Sequence, residues 1–553
     1  MRVRTSARAA ALIVVALAVV LGTVLSDPYR PAWAALPEPE QIFFVPLPEA
    51  AVDAALTSVG ASTTGTMRSV ISITAVADGT ILYYDHWEDG FESALEASVQ
   101  PSTQIWGDGD PSNGIPPGFA ADVLDAGSIV ILENDVPLPR DPAGIFFDAG
   151  DRFGATLPVA ATRAVWDLGI GTIAAGAVEV PDTGTWGLDY EVPAGADLLY
   201  PSGSDPMFEY TSLVITASED GTTVVIDTDA DGIDDLTIPL DRGQTHHVDG
   251  GVLTGATVSA SGPIMTQLVT GDIGATYESR FYTLVPTSSW SSTYYTPVGS
   301  SSANETVVVL YNPDTSALAI DVTTLGGTVS VNVPAGSAAS YVMPVNSGGR
   351  FSSSDGRPFQ ALSGIDTDDG NSTAHDWGFT LLPSSSLTSS ALAGWGPGSS
   401  DLTGNGSPVW VTANAPTRVY VDYDGDPTTG SLTDPNGNSY DVHSDVTSFQ
   451  SLKLFDTVNG DNDQTGTRAY TVDGTLIAAA WGQDPDTAGP GNPYLDLGTT
   501  ILPIPVFSVF KSAEIADDLN GNGYAESGDT IRYTIRVSND GPTPESVVIV
   551  QDD

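Results

Sequence analysis

A strand followed by an acidic loop recurs along the chain, and this repetition constrains the fold more than any other feature. Residues 78–90 (DGTILYYDHWEDG) align without a gap with residues 220–232 (DGTTVVIDTDADG). Both segments read as an Asp-Gly turn, a β-rich apolar run and a loop that carries carboxylates. Residues 418–426 (RVYVDYDGD) form a third copy without the opening turn. Because repeated units build a structural scaffold, we expect function to lie in loops or surfaces that recur in several units.

A second marker, an apolar run that ends in Leu-x-Pro or Leu-Pro, divides the chain. The five runs are residues 43–48, 153–158, 281–286, 379–383 and 499–503. Five markers enclose four units within a repeat region of residues 35–505. The unit bounds that we expect are 43–158, 159–286, 287–383 and 384–503.

The composition predicts an all-β protein. The chain contains 58 Gly and 39 Pro, its apolar runs are short and β-branched, and helical periodicity is confined to stretches such as residues 49–57. We therefore expect repeated antiparallel β units, arranged either as a propeller-like ring or as tandem sandwiches. A marker strand at both ends of the repeat region favours the ring.

Residues 1–34 have the features of a signal peptide. Three arginines among the first eight residues precede an apolar stretch at residues 9–25, and Ala32-Trp33-Ala34 provides a small-x-small cleavage site. We expect a secreted or cell-surface protein with no transmembrane segment in the mature chain. An uncleaved membrane anchor is the alternative reading of the same apolar stretch.

The charge of the chain excludes some partners. The formal net charge is −52, with 70 acidic residues against 18 Lys and Arg. Such a surface repels nucleic acid and anionic lipid, so we expect neither as a partner. Asp outnumbers Glu by 54 to 16, which is typical of turns and calcium-binding loops rather than of helix faces. The absence of cysteine rules out disulfides and thiolate metal sites.

The strongest chemical signal is a run of carboxylates with the spacing of a calcium-binding loop. Asp227, Asp229 and Asp231 alternate with other residues before a glycine, and Asp234 and Asp235 follow. This is the first half of an EF-hand-type loop, without the glutamate at its twelfth position. A solvated acidic hairpin is the alternative interpretation.

A second loop of the same kind lies near the C-terminus. It contains Asp518, Asn520 and Asn522, followed by Asp529. Residues 422–426 and 459–463 are shorter relatives. Because clustered carboxylates repel one another, four such loops in one chain favour a bound cation, and we expect Ca²⁺ as the cofactor.

Signals of catalysis are weak, and we expect no enzyme activity. The chain has five histidines and lacks both the Gly-x-Ser-x-Gly elbow and the His-Glu-x-x-His motif. A polysaccharide-active hydrolase would need two carboxylates at a defined separation. Asp85, Glu88 and Asp89, beside Trp87, are the best candidates for that role.

Residues 211–344 resemble the repeats of the IgGFc-binding-protein N-terminal type. The resemblance rests on residues 220–224, a Leu240-x-x-Gly243 turn and residues 259–264. It implies extracellular binding or adhesion rather than catalysis.

Residues 506–553 resemble the start of a bacterial conserved-repeat domain of unknown function, an Ig-like module of surface proteins. The segments that carry this resemblance are residues 510–511, 518–523, 528–535 and 537–541. The resemblance implies a β-sandwich, and because the sequence stops at Asp553 we expect an incomplete module.

These observations predict a non-catalytic extracellular or cell-surface scaffold for adhesion or binding, with calcium-stabilised acidic loops. The expected partner is an extracellular protein or glycan. Two alternatives remain: a polysaccharide-active hydrolase that uses acidic loop residues, and a purely structural cell-envelope protein.

Overall fold

In the computed structural model, strands are the main regular structure after residue 35. The described residues are 36–97, 102–169, 174–198, 207–274, 278–365, 376–398, 406–456, 462–484, 495–504, 507–517 and 530–539. Helix α1 (Glu49–Val59) confirms the short helix predicted there, and it ends where Gly60 adopts a left-handed φ of 101°. No helix within the described residues is long and apolar enough to cross a membrane.

The described strands repeat one pattern of connection four times. Each copy has eight strand positions, a to h in chain order, which form two antiparallel sheets. Strands a, f, c and d lie side by side in that order and form the outer sheet of the copy. Strands e, b, g and h form the inner sheet in the same way. The all-β class with repeated antiparallel units is therefore confirmed.

Copies one and three follow the pattern without modification. Copy one comprises β1 (Gln41–Phe44), β2 (Thr66–Ala75), β3 (Leu82–Asp85), β4 (Gln104–Trp106), β5 (Ile129–Pro137), β6 (Arg152–Ala155), β7 (Val159–Asp167) and β8 (Ala175–Glu179). In copy two, positions f and g are one long strand: β9 (Gly187–Glu191), β10 (Tyr210–Ala217), β11 (Thr222–Asp227), β12 (Leu236–Leu240), β13 (Thr245–Val248), β14 (Thr257–Gly271) and β15 (Arg280–Thr283).

The strands of copies three and four follow in the same order, and copy four carries an additional hairpin, β27 and β28, inserted before its strand d. Copy three comprises β16 (Thr293–Thr296), β17 (Thr306–Asn312), β18 (Leu318–Thr324), β19 (Gly327–Val333), β20 (Ser337–Val342), β21 (Gly349–Ser353), β22 (Gln360–Ile365) and β23 (Gly378–Thr380). Copy four comprises β24 (Ser390–Leu392), β25 (Val409–Ala413), β26 (Thr417–Asp422), β27 (Leu432–Thr433), β28 (Ser439–Tyr440), β29 (Val442–Val446), β30 (Leu452–Leu454), β31 (Arg468–Tyr470), β32 (Ile477–Gly482) and β33 (Gly498–Ile501).

The C-terminal region contributes one further hairpin. Strands β34 (Phe507–Asp517) and β35 (Thr530–Asn539) pair in antiparallel register. The other strands of an Ig-like module would fall outside the described residues, so the Ig-like sandwich stays a prediction.

The repeat detected in the sequence corresponds to one position in this pattern. The three aligned segments contain β3, β11 and β26, which are strand c of copies one, two and four.

The strand order also bears on the expected unit bounds. The expected boundary at residue 158 falls between strands f and g of copy one. The marker there lies on strand f (β6), whereas the later markers lie on strand h, the last strand of each copy.

Buried apolar clusters lie between successive copies and connect the fourth copy to the first. The core of copy two contains Val307 and Leu362 of copy three. In the same way the core of copy three contains Trp410 of copy four, and the core of copy four contains Trp166 of copy one. Helix α1 fills the remaining interface, between copies one and two. Strands b, g and h of each inner sheet are therefore buried on both faces, whereas the edge strand e is more exposed.

The last strands of the copies meet around a common axis. Strands β8, β15, β23 and β33 are neighbours in cyclic order, with β33 returning to β8. The two predicted arrangements are thus combined, because four two-sheet units form one propeller-like ring. Glycines permit the close approach: a Cβ atom on Gly176 would lie 2.2 Å from the ring of Phe281, and one on Gly498 would lie 2.2 Å from Trp377.

We expect Gly498→Ala to destabilise the ring, since the added methyl group would overlap the indole of Trp377, which is itself fully buried. Overpacking of this kind costs about 1–3 kcal/mol. Thermal unfolding of the full chain measures the effect. The matched control is Gly326→Ala, where the nearest atom to the new Cβ is Thr324 Oγ1 at 3.6 Å. Equal melting temperatures for the two variants would contradict this account of the axis.

Candidate functional site

The acidic loop of copy two brings three carboxylates together. Asp227 ends strand β11, and its ligand oxygen lies within 4.8 Å of those of Asp229 and Asp235. Asp227 is 6% exposed; its Oδ2 accepts a hydrogen bond from the Gly232 amide at 2.8 Å. Its Oδ1 is buried and has no hydrogen-bond partner within the described part of the chain. The cluster therefore contains a buried carboxylate oxygen that lacks a hydrogen-bond donor within the described residues.

The other predicted ligands lie outside this cluster. Asp231 shapes the loop, because its Oδ1 accepts a hydrogen bond from the Ile233 amide at 2.8 Å. Asp234 is exposed and does not join the cluster. The second predicted set, Asp518, Asn520, Asn522 and Asp529, lies outside the described residues.

Charge repulsion and local hydrogen bonds act in opposite directions within the cluster. Desolvation and the carboxylates of Asp231, Asp235 and Asp227 raise the pKa of Asp229. Hydrogen bonds from the side chain and the amide of Thr228 lower the pKa of Asp235. The cluster consists of oxygen ligands without a basic partner, which is the donor set that a hard cation such as Ca²⁺ prefers.

In copies one and four an arginine of the neighbouring strand accompanies the aspartate at the equivalent position. Asp85 of copy one and Asp422 of copy four also end strand c, and each is paired across the sheet with an arginine of strand f, Arg152 or Arg468. Arg152 lies 2.5 Å from the Asp85 carboxylate. In copy two the paired residue is Thr257. Asp227 therefore has a neutral neighbour where its counterparts have a guanidinium group.

Asp422 shows how costly a buried acid is at this position. Burial, followed by the carboxylates of Asp424 and Asp441, raises its pKa to about 8, although Arg468 acts in the opposite direction. An acid buried at the end of strand c thus needs either a proton or a cation.

The acids proposed for a hydrolase belong to a structural network. Glu88 forms an ion pair with Arg140, which also binds Asp148. Asp85 is fully buried against Arg152, and exposed Asp89 accepts a hydrogen bond from Ser102. These carboxylates already have partners among the described residues.

A buried histidine completes this network. His86 Nδ1 lies 3.1 Å from Asp151 Oδ2, and Tyr84 donates a hydrogen bond to the same oxygen at 2.7 Å. Burial raises the pKa of Asp151 to about 7. His86, Glu88 and Asp151 are close enough to share a metal ion. Sequence reasoning missed Asp151 because it lies 65 residues from His86.

A pocket of about 390 Å³ lies where the last strands of the four copies end. Its walls include a proline from each copy, Pro181, Pro286, Pro383 and Pro503, together with Leu382 and Leu502. We call it the axial pocket. The Leu-x-Pro markers noted in the sequence contribute its lining, but sequence reasoning used them only to divide the chain.

A ring of buried or half-buried polar residues belongs to the same pocket. The last strand of each copy contributes one member at or near its end. These members are Glu179 in copy one, Thr283 in copy two, Thr380 in copy three and Thr500 in copy four. Glu179 Oε1 accepts a hydrogen bond from Thr162 at 2.9 Å. Burial nevertheless raises the pKa of Glu179 to about 8. Burial therefore favours the protonated form of Glu179 in the folded protein.

We expect Glu179→Gln to stabilise the protein in a pH-dependent manner. Below pH 4.5 the carboxyl group is protonated in both the folded and the unfolded state, so the variant gains little. Between pH 4.5 and about 8 the unfolded state ionises while the folded state keeps its proton, so the wild-type chain loses stability as the pH rises. The difference in melting temperature should grow across this window and level off above it.

The control for this prediction is Glu219→Gln, at an exposed position. Its melting temperature should follow that of the wild-type chain at every pH. A Glu179→Gln variant that behaves in the same way would show that Glu179 is ionised and solvated in the folded state.

Comparison with known proteins gives one match. A family model described as IgGFc binding protein matches residues 179–482, which is more than half of the chain. The match begins at the last residue of β8 and ends at the last residue of β32, so it spans copies two and three and most of copy four. No curated protein matches the chain.

Proposed function

Because the chain belongs to the IgGFc-binding-protein family, we propose that it is a non-catalytic, secreted or cell-surface adhesion scaffold whose partner is a protein. The observation that carries this proposal is the family match over copies two to four. The family's name concerns the Fc part of immunoglobulin G. For this chain we propose the wider class of extracellular protein partners, with Fc as the first probe.

The architecture supports binding through loops. Four copies with shared cores form a ring, and the acidic loops of copies two and four at residues 227–235 and 422–426 follow strand c on the outer sheets. Rigid scaffolds that present loops are the usual design of binding proteins. The hydrolase alternative gains no support, since Glu88 and Asp85 are engaged with arginines.

Calcium is the second part of the proposal. Asp227, Asp229 and Asp235 would bind the ion, and Asp227 Oδ1 would gain the partner that it lacks within the described residues. In copies one and four an arginine occupies the corresponding place beside strand c. The Ca²⁺ ion would supply that positive charge in copy two and hold the loop in one conformation for binding.

Addition of calcium should raise the melting temperature of the full chain. With about 10 mM Ca²⁺ and a dissociation constant near 0.1 mM, one site contributes about 2.7 kcal/mol by mass action. Asp227→Asn should abolish this gain, because it replaces the buried carboxylate of the cluster by an amide that cannot carry a negative charge. Thermal unfolding in EDTA and in calcium measures both effects.

Asp234→Asn is the matched control, because it removes the same charge from the same loop outside the cluster. The control should keep the calcium-dependent shift. Equal calcium-dependent shifts in melting temperature for both variants would place the calcium elsewhere. The absence of any shift in the wild-type chain would mean that the acidic loops only interact with solvent.

Binding to a protein partner is testable on the immobilised full chain. We expect saturable binding of at least one extracellular protein among IgG Fc, fibronectin and collagen, with a dissociation constant of about 1 μM or tighter. Surface plasmon resonance in calcium and in EDTA measures it, and EDTA should weaken it. Release of reducing sugar from polysaccharides, abolished by Glu88→Gln and without protein binding, would favour the hydrolase instead.

A further inference from the structure

Strand β19 (Gly327–Val333), strand d of copy three, is an open edge of its outer sheet. Among the described strands it pairs only with β18, and it ends the order of the sheet. Residues 327–330 and 332 are exposed. Alternate amide and carbonyl groups of an edge strand point away from the sheet, where another chain can pair with them. The strand is seven residues long, so it provides a full-length template for a further strand.

Strand d of the other three copies carries features that hinder such pairing. In copy one, β4 has only three residues. In copy two, β12 contains Pro239, and in copy four, β29 contains Asp445, whose side chain is 72% exposed. Short length, proline and exposed charge are the usual means by which proteins protect a sheet edge. β19 has none of them, since it contains no proline and no ionisable residue lies between Asp321 and Arg350.

The unprotected edge also exposes an apolar side chain of the row that faces the core. Val329, Val331 and Val333 alternate along β19 and therefore point to the same side of the sheet. Val333 is completely buried and Val331 packs against the core of copy three, whereas Val329 is 49% exposed. A strand added beside β19 would cover Val329 and extend this row.

The residue pattern of β19 is complementary to itself. Ser330 lies at its centre, with a valine on either side and then Thr328 and Asn332. In an antiparallel pair centred on Ser330, Val329 of one copy faces Val331 of the other, and Thr328 faces Asn332. The apolar row thus meets an apolar row, and the polar row meets a polar row.

The charge of the chain agrees with a second copy as the occupant of this edge. Two copies with a formal net charge of −52 repel each other, and like charges directly opposite in a strand pair are destabilising. Association between copies therefore requires a surface without charge, which β19 provides. A basic partner would instead be attracted to the acidic surfaces of the molecule.

From these observations we propose that β19 is a self-association strand. It pairs in antiparallel register with β19 of a second copy, and the two four-stranded outer sheets become one sheet of eight strands. The interface is isologous, with its two-fold axis at Ser330. Because a single strand pair is a small interface, the dimer is weak, with a dissociation constant on the order of 10 μM.

Sedimentation velocity of the full chain in EDTA tests the proposal. Between about 1 and 100 μM chain the sedimentation coefficient should rise from that of a monomer to that of a dimer. The dimer should become tighter when the salt concentration rises from about 0.15 M to about 0.5 M, because salt screens the repulsion between the copies. A monomer under all these conditions, an association that salt weakens, or growth beyond the dimer would overturn the proposal.

Two substitutions of opposite charge test the position of the axis. Ser330→Glu and Ser330→Lys each place like charges opposite one another, so each variant alone should lose at least about tenfold in dimer affinity. An equimolar mixture of the two variants should recover the dimer, because glutamate then faces lysine. Unchanged dimerisation of either variant alone, or a loss that mixing does not reverse, would overturn the pairing of β19 with itself.

The matched controls are Thr237→Glu and Thr237→Lys, at an exposed position of β12, the equivalent edge strand of copy two. Both controls should dimerise like the wild-type chain, and losses equal to those of the Ser330 variants would contradict the proposal. Melting temperatures of all four variants separate loss of pairing from loss of folding. Since the assay contains neither calcium nor another protein, its outcome is distinguishable from failure of the proposed function.

Discussion

Burial of the inner sheets between copies is the interaction on which the whole structure depends. Each inner sheet turns one face to its own outer sheet and the other to a neighbouring copy, with helix α1 between copies one and two. Val307 and Leu362 are completely buried in this second role, and each such side chain contributes about 1.5–3 kcal/mol relative to exposure. A single copy would leave that face in water, so closure of the fourth copy onto the first completes the core.

Closure also explains the central glycines and the axial pocket. Four last strands can approach one axis only where one strand presents a glycine to an aromatic ring of the next, as Gly176 does to Phe281. Beyond these contacts the chains turn away at prolines, and the space that they leave becomes the pocket. The same packing removes Glu179 from water and raises its pKa to about 8. Pocket and buried acid are thus consequences of one geometry.

The sequence predicted the local features of this fold and missed those that depend on contacts between distant segments. Strand c and its acidic loop were found because their residues are consecutive. The pairing of Asp85 with Arg152 was not, because 67 residues separate them. The apolar marker at residues 153–158 begins in strand f of copy one, which has the same apolar character as a last strand. Nothing in the sequence distinguishes Glu179 from an exposed glutamate.

Divergence among the copies locates the candidate calcium loop. Strand c ends in an aspartate in copies one, two and four and in Thr324 in copy three. The arginine across the sheet accompanies the aspartate in copies one and four, whereas copy two has Thr257. A buried carboxylate without its arginine is destabilising unless another cation replaces it. Copy two adds Asp229 and Asp235 at that place, which increases the repulsion in the absence of an ion and supplies the ligands in its presence. Under the calcium proposal, the same scaffold position is structural in copies one and four and ion-binding in copy two, depending on one residue of the facing strand.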